Sequence, residues 1–243
     1  MSTVQTTEQL KQLKLAGMAV AYGSIVQQPL HLQPDAHELI ALLTDAELIQ
    51  RMNNKTERLR KLSRLRYKAF ASEVMLGEER NFTKQKLQYF LQGNYITKAE
   101  NILLTGPTGC GKTYLACALG NHACQQGIPV QYINLMNFMN QIHIGTIDGT
   151  VMKFIRQLGK VSILILDEFG LAPLNYDSKV ALFNIIEERH DKLPTIIVGQ
   201  IPVANWHEYI NEPTLADALM DRLTAKANPI ELKGKSLRTK KLE

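Results

Sequence analysis

One stretch carries the densest chemistry in this chain: Asn101-Ile102-Leu103-Leu104-Thr105-Gly106-Pro107-Thr108-Gly109-Cys110-Gly111-Lys112-Thr113. An apolar run ends at Gly106, glycines recur at 109 and 111, and Lys112-Thr113 opens a segment that reads as a helix from Tyr114 to about Gln126. The G-x-x-x-x-G-K-T spacing is that of a loop that cradles phosphates, and the strand–loop–helix context supports the match. Glycines let consecutive N–H groups turn inward as an anion nest, and the helix start adds its positive dipole end. The nucleotide-binding residues are therefore expected to be Gly106, Pro107, Thr108, Gly109, Cys110, Gly111, Lys112, Thr113 and Tyr114. Lys112 is suited to the β- and γ-phosphates of ATP, and the Thr113 hydroxyl to Mg²⁺.

A second constellation follows. Val161-Ser162-Ile163-Leu164-Ile165-Leu166-Asp167-Glu168 is an apolar run ending in two acids, as an interior parallel strand should look. At its carboxyl end Asp167 is placed to share the Mg²⁺ shell, and Glu168 to polarise an attacking water. Pro194-Thr195-Ile196-Ile197-Val198-Gly199-Gln200 reads as another buried strand. If it lies beside 163–166, the Gln200 amide comes near the γ-phosphate. Arg222, near the end of a helix expected over Thr214–Ala225, is open at this level between a surface residue and a cap for helix carbonyls.

Positioning these groups requires alternating strands and helices, the pattern of a parallel α/β sheet. Pro129–Ile133 supplies a strand, and helices are expected through Leu135–Gln141 and Val151–Leu158, with Gly145 and Gly149 marking a loop between them. Phe82–Tyr95 reads as a short helix leading into the first strand. Upstream, Thr6 with Gln9 suggests a capping box for a helix reaching about Tyr22. Thr44 with Glu47 suggests another, opening a long helix toward Met75. Arg60, Arg64 and Lys68 stand at i, i+4 and i+8 on that helix, with Lys61 beside them and Lys55 one turn earlier. Such a row can follow the phosphates of a DNA strand without reading sequence, the alternative being a solvated helix face. The expected organisation is a helical domain over 1–80, an ATPase domain over 81–233 with a linker at 77–81 where they meet, and a basic tail over 234–243 containing Lys235 and Arg238.

Charge distribution agrees with a polyanionic partner. Residues 1–98 carry 14 Lys and Arg against 9 Asp and Glu, residues 99–232 carry 9 against 13, and residues 233–243 carry 5 against 1. The positive flanks bracket an acidic middle. No apolar run approaches the roughly 18 residues that span a bilayer, and the polar start resembles no secretory signal, so a cytoplasmic protein without a membrane partner is expected. Cys110, Cys117 and Cys124 lie too far apart for ordinary metal pairing and read as small buried apolar side chains.

Together these pieces resemble the AAA+ ATPases of the helicase-loader and initiator branch. More narrowly, the chain is similar to the IstB-type transposition helper proteins of bipartite insertion sequences. Beside the phosphate loop, the resemblance is carried by Gln12–Met18, Leu166–Gly170, Pro202–Glu208, Pro213–Ala218 with Asp221-Arg222-Leu223, and Ile230–Ser236. It implies a five-stranded parallel P-loop sheet of the AAA+ type, a small all-helical N-terminal domain and no C-terminal helical lid. It implies Walker A roles for Lys112 and Thr113, Walker B roles for Asp167 and Glu168, a sensor role for Gln200, and an arginine finger at Arg222 that reaches a neighbouring subunit's ATP. Many relatives carry Asn where Gln200 stands. It further implies a homo-oligomer with its ATP site at the subunit interface, assembling on duplex DNA without sequence preference and stimulating a partner transposase. A replicative helicase loader is the alternative, and a small-molecule kinase a third reading. Residues 1–98 show no metal-ligand cluster for the former, and 135–160 offers only Lys153, Arg156 and Lys160 for the latter.

Overall fold

The computed structural model describes residues 2–237, and the chain divides into two compact units, 1–58 and 59–243. The first holds α1 (Thr3–Gln12), α2 (Ala16–Ile25) and most of α3 (Ala36–Ser63). A single helix to Tyr22 does not form. Lys14 takes a left-handed backbone, φ 61°, and breaks the run, and the N-cap is Ser2 rather than Thr6. Nor does Thr44 open the long helix. Asp35 Oδ1 accepts from the backbone N–H groups of His37 and Glu38 (both 2.9 Å), while the Thr44 hydroxyl bonds back to the Ile40 and Ala41 carbonyls inside the helix.

Glu47 joins α3 to α2 instead of capping a helix. Its carboxylate accepts from the N–H of Gly17 (2.8 Å) and of Met18 (3.3 Å), at the start of α2, and pairs with Arg51. These bonds hold its pKa below the ordinary 4.5, with the Arg51 bond the largest cause. A depressed carboxylate contributes stability above its unfolded pKa and loses it as pH falls through the folded value. The N-terminal unit should therefore loosen as pH falls below the ordinary glutamate range. Amide exchange at Gly17 and Met18 should accelerate there, and the Glu47→Gln variant should show the faster exchange already at neutral pH.

In the second unit, α3 ends at Ser63 because Arg64 is left-handed, φ 54°. Residues 65–76 then run over the α/β core, where Leu65, Val74 and Leu76 pack and Ala69 is buried. This packing ties residues 59–80 to the α/β fold, whereas the sequence placed the division near residue 80. The order continues α4 (Lys84–Leu91), α5 (Asn94–Thr97), β1 (Asn101–Thr105), α6 (Lys112–Gln125), β2 (Val130–Asn134), α7 (Leu135–Asp148), α8 (Val151–Lys160), β3 (Ile163–Phe169), α9 (Tyr176–Arg189), β4 (Thr195–Gly199), α10 (Trp206–Ile210), α11 (Pro213–Thr224) and β5 (Ala227–Glu231). All pairings are parallel, in the spatial order β2-β3-β4-β1-β5. Central strands β1, β3 and β4 are apolar on both faces because helices cover both.

The expected loop at Gly145 is helical. α7 runs on to Asp148, because a Cβ at Gly145 would lie 2.9 Å from the Val151 Cα and only glycine permits that approach to α8. The three cysteines are free and buried, as expected, and burial raises the Cys117 thiol to about 11.

Candidate nucleotide-binding site

The sheet order puts the chemistry at one end. β1 leads into the phosphate loop, β3 ends in the acid pair, and β4 lies between them, so residue 200 emerges between loop and acids. They enclose a cavity of about 340 Å³ lined by Thr108, Lys112, Thr113, Asp167, Glu168 and Gln200, with Arg66, Tyr67, Tyr114 and Leu237 completing the wall. The loop's shape depends on its glycines: Gly111 caps α6 with φ 96°, and a Cβ at Gly106 would stand 2.1 Å from the Leu232 carbonyl oxygen.

Lys112 is 8% exposed, and its Nζ donates to the carbonyls of Gly106 (2.7 Å) and Pro107 (2.8 Å). Asp167 is 2% exposed. Its Oδ1 accepts from the Thr113 hydroxyl (3.2 Å) and from the Glu168 N–H (2.8 Å), and its Oδ2 accepts from the Tyr132 hydroxyl (2.7 Å). Burial and this carboxylate together raise the Tyr132 pKa, so Tyr132 remains a donor. Two hard oxygen ligands, Thr113 Oγ1 and an Asp167 carboxylate oxygen, therefore face each other at the start of α6, a donor set that fits Mg²⁺. Gln200 reaches the phosphate loop, its Oε1 accepting from the Thr108 hydroxyl at 2.9 Å.

Glu168 sits at a β-bulge, where the pairing of β3 with β4 shifts between Leu166 and Phe169. Its backbone is left-handed, φ 64°, which turns the side chain into the cavity rather than the sheet. Arg66 holds it there, Nη1 to Oε1 2.7 Å. Arg66 and Tyr132 escaped the sequence reading. The first is one of many basic residues in its stretch, and the second is an edge-strand tyrosine with no motif around it.

Other expected residues lie elsewhere. Arg222 is at the opposite end of the sheet, where the Asn101 amide that begins β1 donates to the Arg222 carbonyl (3.3 Å). Its guanidinium pairs with Glu187 and lies 5.1 Å from the Phe183 ring centre. The row of Arg60, Arg64 and Lys68 does not exist as a helix face, since α3 stops at Ser63. Arg60 Nε donates to Asn121 (2.6 Å) and its guanidinium stands over Phe70, so it serves the α/β packing. Lys55, Lys61, Arg64, Lys68 and Lys235 are exposed, and Arg238 lies outside the described residues. Among the described residues no helix is long and apolar enough to cross a membrane, and no His, Cys, Asp and Glu cluster would hold a metal.

Fold and site define a P-loop ATP-binding domain of the AAA+ type. Solved structures with this fold include DnaI (TM-score 0.59, 22% identity, 72% of this chain and 94% of that one). The DnaC helicase loader gives a TM-score of 0.59 at 17% identity, over 69% of this chain and 98% of that one. Within that class, the chain belongs to the IstB-like ATP binding protein family, whose model matches residues 8–243. The protein y4pL of Sinorhizobium fredii, named as an insertion sequence ATP-binding protein, is 35% identical over 96% of this chain and 95% of its own. The corresponding protein of insertion sequence IS1162 from Pseudomonas fluorescens is 37% identical over 83% and 88%.

Proposed function

We propose that this protein is an ATP-hydrolysing DNA-binding helper of an insertion sequence: it assembles on duplex DNA with ATP and directs a partner transposase to that site. The supporting observation is the division of the site. The phosphate loop, acid pair and Gln200 line one cavity, while Arg222 lies at the opposite end of the sheet and does not line that cavity, which supports a role for it in a neighbouring copy. Hydrolysis then depends on assembly, and ATP occupancy controls how copies pack along DNA. The relatives' association with insertion sequences favours transposition over helicase loading.

The roles follow from the geometry. Backbone N–H groups of the loop and the Lys112 ammonium bind the phosphates. Thr113 and Asp167 would hold Mg²⁺, which would supply positive charge against the phosphates. Glu168 takes the proton of the attacking water as ADP leaves, Gln200 orients the γ-phosphate, and Arg222 of an adjacent copy stabilises the charge that develops there. Tyr132 fixes the Asp167 carboxylate through Oδ2, leaving Oδ1 to Thr113 and the Glu168 N–H.

DNA contacts are assigned to residues 1–80 and the 234–243 tail, through Lys55, Lys61, Arg64, Lys68, Lys235 and Arg238, with Arg60 in a supporting place. Electron microscopy of the protein with duplex DNA and a non-hydrolysable ATP analogue tests the assignment. Ordered oligomers are expected, and single copies under those conditions would refute it. Reversing charge at Lys61 and Arg64 should weaken binding to all sequences alike and lower the slope of log affinity against log salt by about 2. An unchanged slope would remove both from the interface.

A further inference from the structure

Arg66 pairs directly with the hydrolytic acid, and nothing in the mechanism above uses it. Its Nη1 stands 2.7 Å from Glu168 Oε1 and 4.0 Å from Asp167 Oδ2, on the wall of the nucleotide cavity. The guanidinium is braced from the other side by the Tyr67 ring, 5.7 Å from its centre, and Tyr67 in turn meets Tyr114 on α6 at 6.2 Å. A carboxylate held by a guanidinium at this distance is not free to turn toward a water elsewhere in the cavity without giving up a charge-assisted bond. Glu168 has the backbone to enter the cavity, and Arg66 decides where its carboxylate rests.

The origin of Arg66 gives the contact its meaning. It does not come from a strand end of the sheet but from the segment leaving α3, two residues beyond the left-handed Arg64. That segment is held to the core at its far end, where the Asn121 amide donates to the Ala69 carbonyl (2.7 Å) and Ala69 is fully buried. Between the helix end and this anchor, Arg66 is 40% exposed and Arg64 and Lys68 face solvent, as does Lys61 in the last turn of α3. A polyanion gripping those cations pulls on the piece of chain that carries Arg66 and competes for the guanidinium itself.

We propose that Arg66 is a positioning residue that latches Glu168 away from the attacking water, and that duplex DNA bound at the exposed cations around it opens the latch. This rests on the reading of Glu168 as the hydrolytic acid. It makes ATP turnover conditional on DNA within a single copy, in addition to the condition set by Arg222 between copies.

The test measures ATP hydrolysis by the full chain with and without duplex DNA, in the wild type, Arg66→Gln, Arg66→Ala and Arg66→Lys. The latch predicts that Gln and Ala variants hydrolyse ATP about tenfold faster than wild type without DNA, the effect of removing one charge-assisted bond. They should gain little more when DNA is added, and the Lys variant should keep most of the DNA response. Hydrolysis lowered in both conditions with ATP binding retained would overturn the latch and make Arg66 part of the catalytic apparatus. Unchanged rates would also overturn it. A wild type that binds duplex DNA and hydrolyses ATP no faster for it would overturn the opening of the latch, whereas one that binds no DNA would count against the proposed function. In that case a faster basal rate in Arg66→Gln still upholds the hold on Glu168, and an unaltered one refutes it.

Discussion

Lys112→Ala is expected to lose ATP binding by at least about 100-fold, and with it all ATP-dependent assembly on DNA. The magnitude follows from what the ammonium does. It is nearly buried and donates to two loop carbonyls, so it is already desolvated and aimed along the loop where phosphates would lie. Charge-assisted bonds contribute about 1.5–3 kcal/mol each, and a phosphate chain offers Lys112 two of them, hence about 3 kcal/mol or more. Alanine also removes the Lys112 donor from the Gly106 and Pro107 carbonyls and leaves the latter only the longer bond from the Cys110 N–H (3.4 Å), so the loop should relax from its nest. Calorimetric titration with ATP checks the affinity, and sedimentation with DNA checks assembly. Affinity within a few-fold of wild type would mean the loop alone holds the nucleotide, and DNA-driven oligomers formed by the variant would uncouple assembly from the site.

The parts of this site written in contiguous residues were legible in the sequence, and those built by distant segments were not. Gly106–Thr113 and the run into Asp167-Glu168 are local patterns whose backbone shape and burial follow from residue type. The parallel sheet and the place of Gln200 followed from the alternation, because a strand after the acid pair has few positions open to it. The N-terminal half was harder. Thr44 with Glu47 has the spacing of a capping box, but Glu47 is taken by the Gly17 and Met18 amides some thirty residues earlier, and Asp35 caps the helix instead. No residue type announces that Arg64 will be left-handed. Packing of Leu65 and burial of Ala69 on the α/β core accompany that turn, and it converts an imagined cationic stripe into separate exposed groups. Arg66 and Glu168 are 102 positions apart, so their pairing exists only in three dimensions.

Arg222→Ala should leave ATP affinity within about threefold of wild type and reduce hydrolysis in the DNA-bound assembly by about 10³-fold, the contribution of an arginine that neutralises charge in the transition state. Within its own copy Arg222 cannot act there. The five residues of β1 separate its level from the phosphate loop, about 15 Å at ordinary strand rise. Its pairing with Glu187, which is half exposed, contributes little to stability, so the variant should fold. A decisive measurement mixes two inactive proteins. Glu168→Gln lacks the proton acceptor but keeps Arg222, whereas Arg222→Ala keeps Glu168. If the site is shared, mixed assemblies contain junctions where an intact Glu168 faces an intact Arg222, and hydrolysis should return toward about a quarter of wild type for random mixing, one junction in four having both parts. If Arg222 acted inside its own copy or only in folding, every junction would lack one component and the mixture would stay as inactive as its parts.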